Sequence, residues 1–399
     1  MPTMNRIAYL NCEIKSRDLS TRLLIASHLL NLNVPVVVGQ LWALVGNARA
    51  RKSIPGTYLF ATSNSFQARA MKWVKEAGNF VIASDEEALP LVNSLSNVSS
   101  DAIDICDKFL VDTELHKSIL IKEYGAKEKF HVTGSSRFEH ISTTDIRAIP
   151  SNPYILFNTG FGVINSVWGS PETALGMMRS ATPLSIQDAQ SIIDSEKAAL
   201  DLMILLIRWL IPNHRIVLRP HPSENAQTWR NILPEVEIVE GSASLPWIKN
   251  AQLVVHSNST TGLEAALLRT PVINLDPTPD WGKQYIVPKI NHTVKNLTAA
   301  QEALDAFLKN RTGPIAEKAK RSLDFPKNGA LNAAREIFTN LKNANPLAGP
   351  FPWAKMERAQ VDRDKFTATA EEVTEYMDGL KINCSIHELD DSVFLFTPL

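Results

Sequence analysis

Cysteine is scarce: Cys12, Cys106 and Cys384 are the only three in 399 residues. An odd, scattered set builds neither a disulfide framework nor a zinc site, and a reducing cytoplasm is the expected home. Charge of one sign is also lacking, since 41 Lys and Arg stand against 42 Asp and Glu for a formal net charge of −1. That balance gives no global attraction to nucleic acid or to an anionic membrane. No nucleic-acid partner is expected. Long apolar runs are missing as well. The longest apolar helical stretch, Ala198 to Ile211, is interrupted by Asp201 and Arg208 and stopped by Pro212, short of the ~20 residues a bilayer span requires. A core helix is the expectation there. Near the N-terminus Arg6 appears early and no apolar stretch of signal-peptide length is seen, so export by that route is not expected. There is no Walker loop, no zinc-ligand spacing, no Gly-x-Ser-x-Gly elbow and no fixed-period repeat. Neither a metal nor another cofactor is expected.

What remains is the composition of a globular protein, 44% hydrophobic and 21% charged. At about one domain per ~150 residues, two domains and an appended tail are expected. Strand-like and helix-like runs alternate through the first ~145 residues, the pattern of a doubly wound parallel sheet. Strands are expected at Arg6 to Asn11, Val34 to Val38, Tyr58 to Ala61, Phe80 to Ala83, Phe109 to Val111 and Phe130 to Val132. The Pro/Asn-rich segment Ile149-Pro150-Ser151-Asn152-Pro153 reads as a linker, and a second alternating set starts at Tyr154. The expected division is a first Rossmann-like domain over 1–149, a second over 150–343, and a charged helical tail over 344–399 that packs back on the domains. That is the α/β architecture called GT-B, with two Rossmann-like domains facing a cleft.

Two segments concentrate the chemistry. Arg219-Pro220-His221-Pro222-Ser223-Glu224 follows the strand-like Arg215 to Leu218, and His256-Ser257-Asn258-Ser259-Thr260-Thr261-Gly262-Leu263-Glu264 follows Gln252 to Val255. Both deliver polar groups at the carboxyl ends of what are expected to be adjacent parallel strands, where open α/β sheets bind ligands. Prolines on either side present His221 rigidly, suited to bonding a phosphate oxygen. Ser257, Ser259, Thr260 and Thr261 supply more hydroxyls than one helix cap uses, and Glu264 suits the two hydroxyls of a ribose or a capping box. Asn158 and Thr159, before the glycines Gly160 and Gly162, end the first strand of the same domain. Nucleotide binding is therefore expected at Asn158, Thr159, Arg219, His221, Glu224, Ser257, Ser259, Thr260, Thr261 and Glu264. In the first domain the acidic run Asp85-Glu86-Glu87 offers a catalytic base or nucleophile or a solvated helix start. His221 is a fourth catalytic candidate. Glu13 and Arg17 form an ion pair or contact a substrate carboxylate. Asp188 and Glu172 compete with the acidic run.

Taken together, Arg-Pro-His-Pro, His-Ser-x-Ser-Thr-Thr-Gly-x-Glu-Ala, Asn11 to Arg17, Asp85 to Ala88 and Val132 to Phe138 resemble bacterial surface-carbohydrate biosynthesis proteins. That group includes the capsule and O-antigen β-Kdo transferases and is more loosely similar to bacterial sialyltransferases. The resemblance spans roughly residues 5 to 325, and departs from the family where Ala88 replaces its glycine. It implies a glycosyltransferase moving a Kdo-like 2-keto sugar acid from a CMP-activated donor to a surface polysaccharide or lipid-linked glycan. His221 and Ser259 to Thr261 would hold the phosphate and Glu264 the ribose. It also implies a cytoplasmic protein, peripheral at the inner face of the membrane or within a polysaccharide-assembly complex. Left open are a UDP- or CDP-dependent epimerase, a polyol-phosphate transferase, and a non-catalytic glycan-binding module of the same fold.

Overall fold

The computed structural model describes residues 5–84, 86, 98–125, 127–143, 152–181, 185–241, 244–278, 287–320, 328–347 and 349–399. They divide into two compact units. The first holds the described residues up to His140 together with those from Asn328 to Leu399, and the second those from Ile141 to Lys320.

In the first unit six parallel strands follow one another along the chain: β1 (Ala8–Cys12), β2 (Val36–Gln40), β3 (Thr57–Phe60), β4 (Phe80–Ser84), β5 (Lys108–Val111) and β6 (Phe130–Val132). Every residue of β1, β2 and β3 is buried, as expected of a parallel sheet covered on both faces. One face packs Leu23, Leu29 and Leu30 of the Lys15–Asn31 helix, and the other packs Leu44 of the Leu41–Arg49 helix and Met71 of the Ser65–Glu76 helix. The lateral order β2-β1-β3-β4-β5-β6 reverses direction at β1. A crevice therefore opens at the carboxyl ends of β1 and β3.

The second unit repeats the plan with β7 (Ile155–Asn158), β8 (Ile216–Arg219), β9 (Glu237–Ile238), β10 (Leu253–His256), β11 (Val272–Leu275) and β12 (His292–Val294). All are parallel, in the order β12-β11-β10-β7-β8-β9. The two motif strands β8 and β10, expected to be adjacent, are not neighbours: β7 lies between them and is the strand at which the order reverses. The Ile186–Leu210 helix starts on a capping box made by Ser185 and Asp188. It buries Ile192, Ala199, Met203, Leu206 and Leu210 at helical spacing.

The C-terminal segment returns to the first unit and is only partly helical. The Gly329–Leu341 helix buries Ala330, Ala333, Ala334, Ile337 and Leu341 in the core shared with the Lys15–Asn31 helix, so these residues fall outside the second domain expected to reach 343. Beyond it β13 (Cys384–Asp390) and β14 (Val393–Pro398) form an antiparallel hairpin, and β14 pairs antiparallel with β2. That hairpin covers the β2 edge, which would otherwise present unpaired backbone groups. Among the described residues no helix is long and apolar enough to cross a membrane.

Candidate functional site

At the end of β8 the chain turns through Pro220-His221-Pro222, and Glu224 organises the turn from beneath. It is 4% exposed. Its Oε1 accepts from the Thr159 hydroxyl at 2.7 Å, from Phe161 N at 3.1 Å and from His221 N at 3.1 Å, while its Oε2 accepts from Trp229 Nε1 at 2.9 Å and Asn165 Nδ2 at 3.4 Å. Glu224, expected as a nucleotide ligand, stitches the β7 and β8 loops together, and Thr159 is engaged with it. Gly162 lies close under this turn, where a Cβ would sit 2.5 Å from Ser223 Oγ and turn that hydroxyl away. His221 itself is exposed. Its Nδ1 accepts from Ser223 N at 3.2 Å and lies 2.7 Å from Ser223 Oγ. The neutral ring therefore carries its proton on Nε2, as a donor.

On the other side of β7, His256 closes β10 fully buried. Burial holds its pKa down at about 3, so it stays neutral. Its Nδ1 accepts from Ser259 N at 3.2 Å, its Nε2 faces the Asn291 side-chain amide at 2.9 Å, and it supports the turn from within. Gly262 lets the next helix settle on this pair, because a Cβ would lie 2.3 Å from Asn291 and 2.4 Å from the His256 ring. Ser259 Oγ accepts from Thr261 N at 3.3 Å and from Thr261 Oγ1 at 3.0 Å. Thr260 stands at the N-cap position without a side-chain capping bond, and Ser257 is half-buried in the turn. The Thr261–Leu267 helix has only seven residues, so it brings hydroxyls more than a long dipole. Glu264 is buried, accepts from Ser244 Oγ at 3.3 Å and interacts with Arg219. Burial lowers the pKa of Arg219 and the Glu264 charge opposes that shift.

Between the two loops stands Asn158, the last residue of β7. It is 2% exposed, and neither Oδ1 nor Nδ2 has a hydrogen-bond partner. A buried amide without partners is costly in a folded protein. Two further carboxylates have no motif to mark them in the sequence. Glu196, on the long helix, accepts from Val163 N at 3.1 Å and Ile164 N at 3.0 Å. Burial pushes its pKa up to about 7, with the Glu224 charge adding to the rise and those two bonds opposing it. Asp276, after β11, accepts from Asn258 Nδ2 at 3.1 Å; Asn258 adopts a left-handed φ of 43° and donates its N–H to Asn274 Oδ1 at 2.7 Å. A capping role fixes the competitor Asp188, whose carboxylate bonds Ser185. Glu172 begins a helix exposed, its pKa lowered by a Ser170 hydrogen bond.

In the first unit, Asp85 and Glu87 lie outside the described residues. Glu86 follows β4 and meets a residue with no sequence motif to mark it: fully buried Arg22, whose Nη1 donates to Glu86 Oε1 at 2.7 Å. Of the two alternatives for Arg17, the structure shows the ion pairs, 3.5 Å from Glu13 and 2.5 Å from buried Asp18. Among the described residues no cluster of three or more His, Cys, Asp or Glu could hold a metal ion.

Solved structures share this architecture. S. aureus MnaA, solved with UDP, superposes with a TM-score of 0.54 at 12% identity over 86% of this chain and 99% of its own. UDP-GlcNAc 2-epimerase from Neisseria meningitidis, bound to UDP-GlcNAc, gives 0.51 at 13% identity over 85% and 100%. The wall teichoic acid polymerase TagF gives 0.51 at 11% identity over 86% and 90%. No protein-family model and no curated protein matches the chain. The fold is of the GT-B type. At these identities the likeness establishes the fold and no more.

Proposed function

We propose that the second unit binds a nucleotide-activated sugar at the carboxyl ends of β7, β8 and β10, and that the protein is an enzyme of surface-carbohydrate synthesis. The observation that carries this reading is Asn158. A buried amide with both polar atoms unpartnered stands at the strand where the sheet order reverses, flanked by the His221 turn and the Ser259 to Thr261 hydroxyls. His221 Nε2–H and the hydroxyls suit phosphate oxygens, and the Asn158 amide suits a group that both donates and accepts, as a base or ribose does. Arg219 and Glu264 form the charged wall beside them.

Two donors fit this class. Resemblance of the motifs to β-Kdo transferases favours a CMP-activated sugar acid, passed to a glycan or glycolipid acceptor. Likeness in fold to proteins solved with UDP or UDP-GlcNAc favours a UDP-sugar and an epimerase. Calorimetric titration of the full chain with CMP, CDP, UDP, CMP-Kdo and UDP-GlcNAc separates them, followed by chromatography of the products. His221→Ala and Asn158→Ala should each weaken the preferred nucleotide about tenfold, the value of one charged or buried hydrogen bond. The reading fails if no nucleotide binds, or if both variants keep wild-type affinity.

A further inference from the structure

A cavity of about 410 Å³ opens at the amino end of β11, the opposite end of the second unit's sheet from Asn158, and its volume is in the range that holds a small ligand. Three cations line it, Arg269, Arg311 and Lys320, all exposed. Among the described residues none of the three has an ion pair. Asp305 is taken by Lys309 at 3.0 Å, and neither it nor Glu317 lines the cavity. Each cation follows the end of a helix, Thr261–Leu267, Leu297–Asn310 or Pro314–Ala319. A helix end carries roughly half a negative charge, so three whole charges exceed what the ends neutralise. Arg269 and Arg311 also adopt left-handed φ values of 55° and 54°, a conformation that favours glycine after a helix. Arginine at both positions, with both side chains on one cavity, points to the guanidinium groups and not to the turns. Buried Phe307 lies beneath, and the Arg311 guanidinium sits 4.8 Å over its ring, which holds that plane and leaves its edge N–H groups for another partner.

We infer that this cavity binds a phosphate carried on an apolar body. Guanidinium groups meet phosphate oxygens through paired N–H donors, and an ammonium adds a point charge. Half-buried Pro271, Ala316 and Ala319 make the remaining wall apolar. An inorganic ion leaves that wall in water, whereas an organic phosphate covers it. A soluble organic phosphate and the phosphate of a lipid share this chemistry. The site does not depend on the nucleotide reading, since the sheet lies between it and the strands' carboxyl ends.

The test uses Arg269→Gly/Arg311→Gly, because glycine suits both left-handed positions and removes two cations without straining a turn. The full chain is titrated by calorimetry with phenyl phosphate, inorganic phosphate and phenol, and floated with phosphatidylcholine vesicles with and without phosphatidic acid, which tells the two sources apart. Phenyl phosphate or the phosphatidic acid vesicles should bind, phenyl phosphate more tightly than inorganic phosphate, and phenol and plain vesicles should not. In the double variant binding should weaken about a hundredfold, tenfold for each charged hydrogen bond lost, while the melting midpoint should not fall. Lys320→Ala, at an exposed position, should weaken it about tenfold. Inorganic phosphate binding as tightly as phenyl phosphate overturns the ligand class. Unchanged binding in both variants shows that the cations only close their helices, and binding lost in His221→Ala but kept in the double variant moves the phosphate to the nucleotide groups. Silence from phenyl phosphate and from every vesicle removes the site.

Discussion

Glu224 and Glu86 each stand beyond a parallel strand, Glu224 after β8, next to the strand at which its sheet reverses order, and Glu86 after β4, two strands from that point, and their surroundings differ. Glu224 is surrounded by five donors from its own unit, and its two oxygens are used up. Glu86 has one buried arginine on one oxygen and nothing on the other. In the second unit the carboxylates build the loops and a neutral amide, Asn158, is left without a partner; in the first the charged pair itself keeps open valences. A strand-end carboxylate is thus no guide to function until its donors are counted.

The largest effect that could break this contrast is expected at Glu224. Alanine there leaves buried donors from Thr159, Phe161, His221, Asn165 and Trp229 unpaired, so unfolding in urea should show a loss of about 3 kcal/mol or more. A loss within about 0.5 kcal/mol would mean that the loops do not depend on it. Next is Gly262→Ala, which drives a methyl group into Asn291 and His256. Overpacking of this kind costs about 1–3 kcal/mol, and nucleotide affinity should fall with stability because the Ser259 to Thr261 turn shifts too. An alanine variant as stable as wild type would show that the helix start has room to move.

The smallest expected effect concerns Glu196. Its folded pKa, raised to about 7 from an ordinary 4.5, means that the folded state holds the proton more tightly than the unfolded state. Its contribution to stability is therefore fully present below about 4.5 and is lost as pH rises to about 7. Glu196→Gln should flatten the fall in melting temperature across that window. An unchanged slope would place the titration elsewhere.

Much of the fold was legible in the sequence because parallel strands buried on both faces are short continuous apolar runs. Ten of the strands lie where such runs stand, from Ala8–Cys12 to Val272–Leu275. The hairpin from Cys384 to Pro398 was not legible as strand. Its first strand carries charge at Glu388 and Asp390, and its stability comes from pairing with β2, more than three hundred residues away. The same division holds at the site. The motifs placed His221, Asn158 and the hydroxyl run at strand ends, because the residues following a parallel strand must emerge at its carboxyl end.

Which strands stand side by side, and which polar atoms find partners, only the tertiary structure decided. Tertiary contacts put β7 between β8 and β10, gave Glu224 its donors from Thr159, Phe161 and Asn165, and set Arg22, an unremarked helix residue, against Glu86. The physical reason is that local sequence fixes a residue's backbone and its face, whereas the partner of a buried charge is whatever distant chain packing brings within 3 Å.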